Sequence, residues 1–252
     1  MTNSAVWPVH IPQVSSARVY NYLSKGKDHF RADRSLAEQM VAANTTHIDL
    51  AQESTTFVDQ AVEELVGDGV EQLVVLGCGL PHPSARPVHL TAQAISPSAS
   101  VLYLDRDLSC VVTTRAHHHA ARGVTVLDGD LTDPLHLVAD PAVQAALDPD
   151  RPVGVVCDLT LHHLVDADVE TLALTLATAL PAGSRLALTH PSGDEAALAA
   201  DVYLAAIRDG RAAEDTYLAR TAEGLDPLLK GWTLSTCEVS EHGLLTATAQ
   251  LP

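Results

Sequence analysis

Apolar residues fall along this chain in two rhythms, and the change between them near residue 70 divides it. Before that point the spacing is helical. Ser16 to Ser24 reads as a short helix broken by Gly26-Lys27-Asp28, and a second starts at about Asp33, a good N-cap, with Leu36, Ala37 and Met40 on one face. A third spans about Thr46 to Val66, with Phe57, Ala61, Val62 and Leu65 at helical spacing and Gly67 closing it. From Val70 onward short apolar runs alternate with helical stretches. The pattern predicts strands near 72–76, 101–105, 124–128, 153–158 and 184–190, and helices over 85–95, 109–121, 166–179 and 194–210. Such alternation requires right-handed parallel crossovers, hence a doubly wound α/β sheet. The tail changes character again. Trp232 to Val239 and Leu244 to Gln250 flank Ser240-Glu241-His242-Gly243, predicting a hairpin that closes the sheet edge antiparallel. Residues 1–69 are expected to form a helical cap or lid, and 70–252 the sheet domain.

Composition narrows the partners. The 252 residues suit one α/β domain with an elaboration, or two small domains at most. Hydrophobic content of 46% with only 4% aromatic means a core of Leu, Val and Ala. A formal charge of −17 argues against a nucleic acid, whose phosphates demand a basic surface, and against an anionic membrane. Met1 to Gln13 hold no apolar run of signal-peptide length, and no segment approaches the roughly 18 apolar residues of a membrane span. A cytoplasmic protein is expected, acting on a small molecule as a monomer or homodimer. Cys78, Cys110, Cys157 and Cys237 are far apart with no C-x-x-C pair, so reduced thiols are expected.

The chemistry concentrates where the first strand, Gln72-Leu73-Val74-Val75-Leu76, runs into Gly77-Cys78-Gly79-Leu80-Pro81. Glycines let backbone approach a ligand where a Cβ would collide. The next apolar run, Val101-Leu102-Tyr103-Leu104, ends in Asp105, and an acid there can accept both hydroxyls of a ribose. The turn lacks the third glycine of the dinucleotide fingerprint, and no G-x-x-x-x-G-K-[ST] occurs, so phosphate cradles for NAD or ATP fit poorly. An adenosine cofactor without phosphate, S-adenosylmethionine (SAM), suits a turn with fewer glycines.

Five parallel strands plus an antiparallel hairpin is the arrangement of class I SAM-dependent methyltransferases, and the resemblance becomes specific in particular motifs. Ser16-Ala17-Arg18-Val19-Tyr20-Asn21-Tyr22-Leu23-Ser24-Lys25-Gly26-Lys27-Asp28-His29-Phe30 resembles the opening signature of an actinobacterial family of SAM-dependent methyltransferases. The Gly-x-Gly-Leu-Pro turn at 77–81, Asp-Leu-x-Asp-Pro at 130–134 and Leu-His-His at 161–163 are similar to the same family, over roughly residues 15 to 192.

That resemblance implies roles. Gly77 and Gly79 would pass under the cofactor and Asp105 would hold its ribose, the plainer alternative being a cap on the following helix. Arg106 or Asp107 would flank the adenine, and Asp130 would meet its amino group with Leu131 over the ring, unless Asp130 caps a helix after Pro134. Most class I enzymes carry an acid shortly before the glycine turn to help hold the methionine ammonium, but Val75 stands there. Asp28, Tyr20 or Tyr22 could fold over the cofactor instead, with Arg18 or Lys27 at the carboxylate; the plainer alternative is an Arg18–Asp28 ion pair. Asp158 stands where the family suggests a neutral residue. It either fixes the ammonium, orients a substrate or caps the turn at Thr160. His162 and His163 lie where such enzymes mount substrate-facing groups, and a histidine there can take a proton at neutral pH, with one of the pair turned to the core. His190 is a further candidate. His117-His118-His119 cannot converge on a metal from one helix and reads as a solvated helix end, and no metal site is expected.

The implied activity is methyl transfer from SAM to a small molecule. The alternative is attack at the methionyl Cγ, by an intramolecular cyclase, a lyase or an aminocarboxypropyl transferase, releasing methylthioadenosine. A silent SAM-binding protein is a third reading.

Overall fold

The computed structural model describes residues 13–82, 85–214 and 216–252, with the side chain of Glu195 left aside. The expectation about the first thirteen residues therefore lies almost wholly outside the described ones.

Among the described residues three helices come first: α1 (Ser16–Leu23), α2 (Arg31–Ala43) and α3 (His47–Gly67). Then follow β1 (Gln72–Leu76), α4 (Val88–Ile95), β2 (Ser100–Asp105), α5 (Leu108–His118) and β3 (Val124–Asp128). After them come α6 (Pro134–Ala139), α7 (Pro141–Ala146), β4 (Val153–Cys157), α8 (Asp166–Ala179), β5 (Arg185–Pro191), α9 (Gly193–Arg208) and α10 (Ala222–Leu225). The hairpin of β6 (Thr233–Val239) and β7 (Leu244–Gln250) ends the chain. Strand and helix alternate as the apolar rhythm predicts.

Among the described residues seven strands form one sheet in the order β3-β2-β1-β4-β5-β7-β6. The first five are parallel; β7 pairs antiparallel with β5 and with β6. Every residue of β1 and β4 is buried, the signature of central parallel strands covered on both faces. Alternation along β1 sends Leu73 and Val75 to one face, among Val58, Val62 and Leu65 of α3, and Val74 and Leu76 to the other, with Leu172 and Leu176 of α8. The third helix thus packs into the sheet's own core. A separate cluster joins α1 and α2 to α9 through Val19, Leu36, Met40, Ala199 and Tyr203.

One helix start differs from expectation. Asp33 lies inside α2, not ahead of it: its carboxylate reaches back to the Phe30 amide (2.7 Å) and also takes the Ser15 amide (3.2 Å) and Arg18 Nε (3.0 Å). It is buried because it ties three segments together. Helices α6, α7 and α10 were not expected. Asp133 and Asp140 cap the first two, accepting from the His136 and Ala142 amides, with Pro134 and Pro141 in the first turn. The four cysteines are free thiols, and no helix among the described residues is long and apolar enough to cross a membrane.

Candidate active site

Chain order reverses between β1 and β4, since β2 and β3 lie to one side and β5 to the other. A crevice opens outside the carboxyl ends of strands at such a point. Here it is a cleft of about 280 Å³, lined by the turn after β1, the ends of β2 and β4, α1, α3 and the segment around Glu214.

The turn after β1 is left-handed at both glycines, with φ of 66° at Gly77 and 60° at Gly79. A Cβ at Gly77 would lie 2.5 Å from Thr160 Cγ2, because Thr160 fits under the turn and donates to the Leu76 carbonyl (3.0 Å). Asp105, at the tip of β2, is locked to this turn. Its Oδ2 accepts the Gly79 amide (2.8 Å) and its Oδ1 the Asp107 amide (2.8 Å). Burial pushes its pKa up, while those two amides oppose the shift. Each oxygen keeps acceptor capacity for a further donor.

Arg106 is exposed on the cleft rim. Asp130 also lines the cleft; its Oδ1 accepts the amide (2.9 Å) and hydroxyl (2.8 Å) of Thr132, and the adjoining Leu131 is buried.

Other expected residues divide. Tyr20 lines the cleft, its hydroxyl 3.3 Å from that of Tyr217, and burial raises its pKa well above the usual value. Arg18, Tyr22, Lys27 and Asp28 are not on the cleft wall. Arg18 is held by Asp33 at 3.0 Å and by Asp107 at 3.9 Å, so its ion-pair partner is not Asp28. Tyr22 donates to Glu38 (3.0 Å), and Lys27 and Asp28 face solvent. The physical reason is helical phase: Tyr20, Asn21 and Ala17 occupy the cleft side of α1, leaving Arg18 and Tyr22 to face α2.

The histidine pair diverges. His162 is fully buried among Tyr20, Tyr217 and His190, with neither ring nitrogen hydrogen-bonded among the described residues, and burial takes its pKa well below the usual value. His163 lines the cleft. Its Nδ1 lies 3.0 Å from the Thr216 carbonyl, which can only accept, so Nδ1 carries the proton, while Nε2 is buried and has no hydrogen-bond partner among the described residues. Burial lowers its pKa; the nearby Glu214 carboxylate works the other way. His190 is not on the cleft wall: it is buried, with Nε2 3.1 Å from Arg220 Nη1, and burial takes its pKa to about 3.

Asp158 lines the cleft just past β4. Ser54 and Thr189 (2.7 Å) both donate to its Oδ1, and burial raises its pKa against those two bonds.

Sequence reasoning missed several wall residues. Glu214 accepts the Ser16 amide at the start of α1 (2.7 Å) and the Tyr203 hydroxyl. His118, expected on a solvated helix end, stacks on Tyr103 with centroids 5.8 Å apart and lines the cleft. Among the described residues no group of three His, Cys, Asp or Glu is placed to hold a metal ion.

The cleft fits an adenosine ligand without phosphate. It combines a left-handed glycine turn seated on Thr160, a strand-tip carboxylate with spare acceptor capacity and a buried apolar wall.

Comparison with known proteins agrees. A family model described as S-adenosyl methyltransferase matches residues 4–248. No curated protein matches the chain. The chain is similar to a methyltransferase-like protein of Thermobifida fusca, at 25% identity and TM-score 0.85, over 98% of this chain and 99% of that one. It is also similar to a DUF574 family protein of Streptomyces avermitilis, at 21% and TM-score 0.83, over 95% and 98%. The magnesium protoporphyrin IX methyltransferase of Synechocystis, with S-adenosylhomocysteine bound, shares the fold at 15% identity and TM-score 0.53, over 93% of each chain. The α/β sheet is that of class I methyltransferases.

Proposed function

The chain belongs to the S-adenosyl methyltransferase family, and on that premise we propose that it moves the sulfonium methyl of SAM, in line, onto an oxygen, nitrogen or carbon nucleophile of a small molecule. It is a SAM-dependent methyltransferase. One observation carries the finer reading: Asp105, fixed to the Gly77–Gly79 turn, and His163, anchored through Nδ1 on Thr216, belong to the wall of one cleft. When bound, SAM supplies an already activated methyl electrophile, which leaves alignment and exclusion of water to the protein.

In this reading Asp105 accepts the ribose hydroxyls, Arg106 flanks the adenine, and Asp130 meets its amino group while Leu131 covers the ring. His163 accepts the acceptor's proton at Nε2, its Nδ1 anchored on Thr216. Helices α1 and α2 act as the cap, with Tyr20 as the face turned to substrate. A charge of −17 and a cleft of about 280 Å³ favour a small acceptor over a nucleic acid or an anionic membrane. A cytoplasmic, actinobacterial setting and a monomer or homodimer complete the proposal.

Attack at the methionyl Cγ is not favoured. Asp158, which suggested it, has one oxygen committed to Ser54 and Thr189, and the family match points to methyl transfer. The test is incubation with SAM and a panel of small phenols, amines and carbon acids, followed by mass spectrometry. S-adenosylhomocysteine should appear together with an acceptor heavier by one methylene. Methylthioadenosine formed without any acceptor would overturn the proposal.

A further inference from the structure

The family resemblance leaves a charge unaccounted for, because the methionyl ammonium of SAM has no acid on β1 to meet it. Val75 is buried at 5% exposure, and its side chain lines the cleft. An ammonium left there without a counter-charge would be costly. The parallel register places Val75 opposite Val156 on β4, and both side chains pack on the α3 face of the sheet. Two residues further along is Asp158, and alternation returns its side chain to that same face, where Ser54 of α3 meets it. We propose that Asp158 is the ammonium subsite, an acid carried on β4 in place of the one missing from β1.

The surroundings suit that task. Ser54 and Thr189 hold Oδ1, and Oδ2 accepts no hydrogen bond among the described residues. Thr189 Oγ1 also accepts the Leu159 amide (2.9 Å), and Leu159 is held at φ 43°, in the left-handed region that a branched side chain avoids. Strain of this kind persists only where its surroundings impose it, and here it turns the chain sharply just beyond the carboxylate. Of the ionisable groups facing Asp158, His82 favours its charged form, and the Tyr20 phenol is kept neutral by burial. An incoming ammonium would meet the Oδ2 side of this carboxylate, since Oδ1 is held by Ser54 and Thr189.

The inference rests on the reading of the cleft as a SAM site, and calorimetric binding separates the two. Wild type, Asp158→Asn and Ser54→Ala are titrated with S-adenosylhomocysteine, with its analogue lacking only the amino group, and with methylthioadenosine. Asp158→Asn is expected to weaken S-adenosylhomocysteine at least tenfold while changing the other two less than threefold. Ser54→Ala, which leaves the carboxylate in place but removes one donor, should show the same selectivity at a few-fold level. Equal losses on all three ligands, or no loss on any, would overturn the ammonium assignment while leaving the cofactor reading intact. Failure of the wild type to bind any of them would overturn both.

Discussion

Asp105 and His163 show how single side chains acquire tasks from the backbone around them. The two amides on Asp105 fix its plane and leave each oxygen able to accept once more. The Thr216 carbonyl fixes the His163 tautomer, which makes Nε2 basic. Replacing His163 by Gln should lower kcat about 100-fold, within the usual range for general-base loss, with the Kd for SAM changed less than threefold. In the wild type, activity should fall as pH drops through a pKa below the ordinary histidine value, because burial favours the neutral, basic form. A variant with unchanged kcat and the same acid limb would remove His163 from the chemistry. Gly77, Gly79 and Asp105 were legible in the sequence because a glycine turn between apolar runs, followed one strand later by an acid, has a local signature. Glu214 and His118 were not. The first reaches the cleft from a segment almost 200 residues away from its partner Ser16, and the second depends on stacking with Tyr103.

At the scale of elements, the turn after β1 and the position of α1 decide the cleft. Gly77→Ala would set a Cβ against Thr160 and force a left-handed φ on a residue that resists it. The expected cost is about 1–3 kcal/mol of stability, read as a lower urea midpoint, together with weaker SAM binding; an unperturbed variant would show that the turn yields freely. Helix α1 is fastened by Glu214 at its first residue and by Arg18 reaching Asp33 and Asp107. Glu214→Ala should speed amide exchange across Ser16–Leu23 while leaving β1 and β4 protected, and uniform exchange would contradict that fastening. The strands were readable because central parallel strands are unbroken apolar runs. Helices α6 and α7 are too short for periodicity to reveal, although each opens with Asp-Pro, a cap followed by a residue fit for the first turn. Asp33 misled because its side chain caps backward from within the helix.

Across the whole molecule, buried neutral histidines link the fold to pH. Burial takes His47 to about 4, His190 to about 3 and His162 well below the ordinary 6.5. The unfolded chain therefore binds protons below about pH 6.5 that the folded chain refuses. Stability present above that pH is lost as pH falls towards 4 and 3, by up to about 1.4 kcal/mol per unit for each histidine. Asp105 and Asp158, with raised pKa values, work in the opposite direction and soften the slope. The urea midpoint should drop clearly between pH 7 and pH 5; an unchanged midpoint would mean these rings are reached by water. The parallel alternation and the antiparallel hairpin followed from the rhythm of apolar runs, whereas the strand order and the packing of α3 into the sheet core did not, since the residues of α3 precede the alternating region.

The central claim is that SAM lies over the Gly77–Gly79 turn with its ribose on Asp105. The most direct test is calorimetric titration of SAM into the wild type and Asp105→Ala, with the fold checked by circular dichroism. A folded variant whose Kd rises at least tenfold is the predicted result. A folded variant that binds SAM as tightly as the wild type would contradict the account.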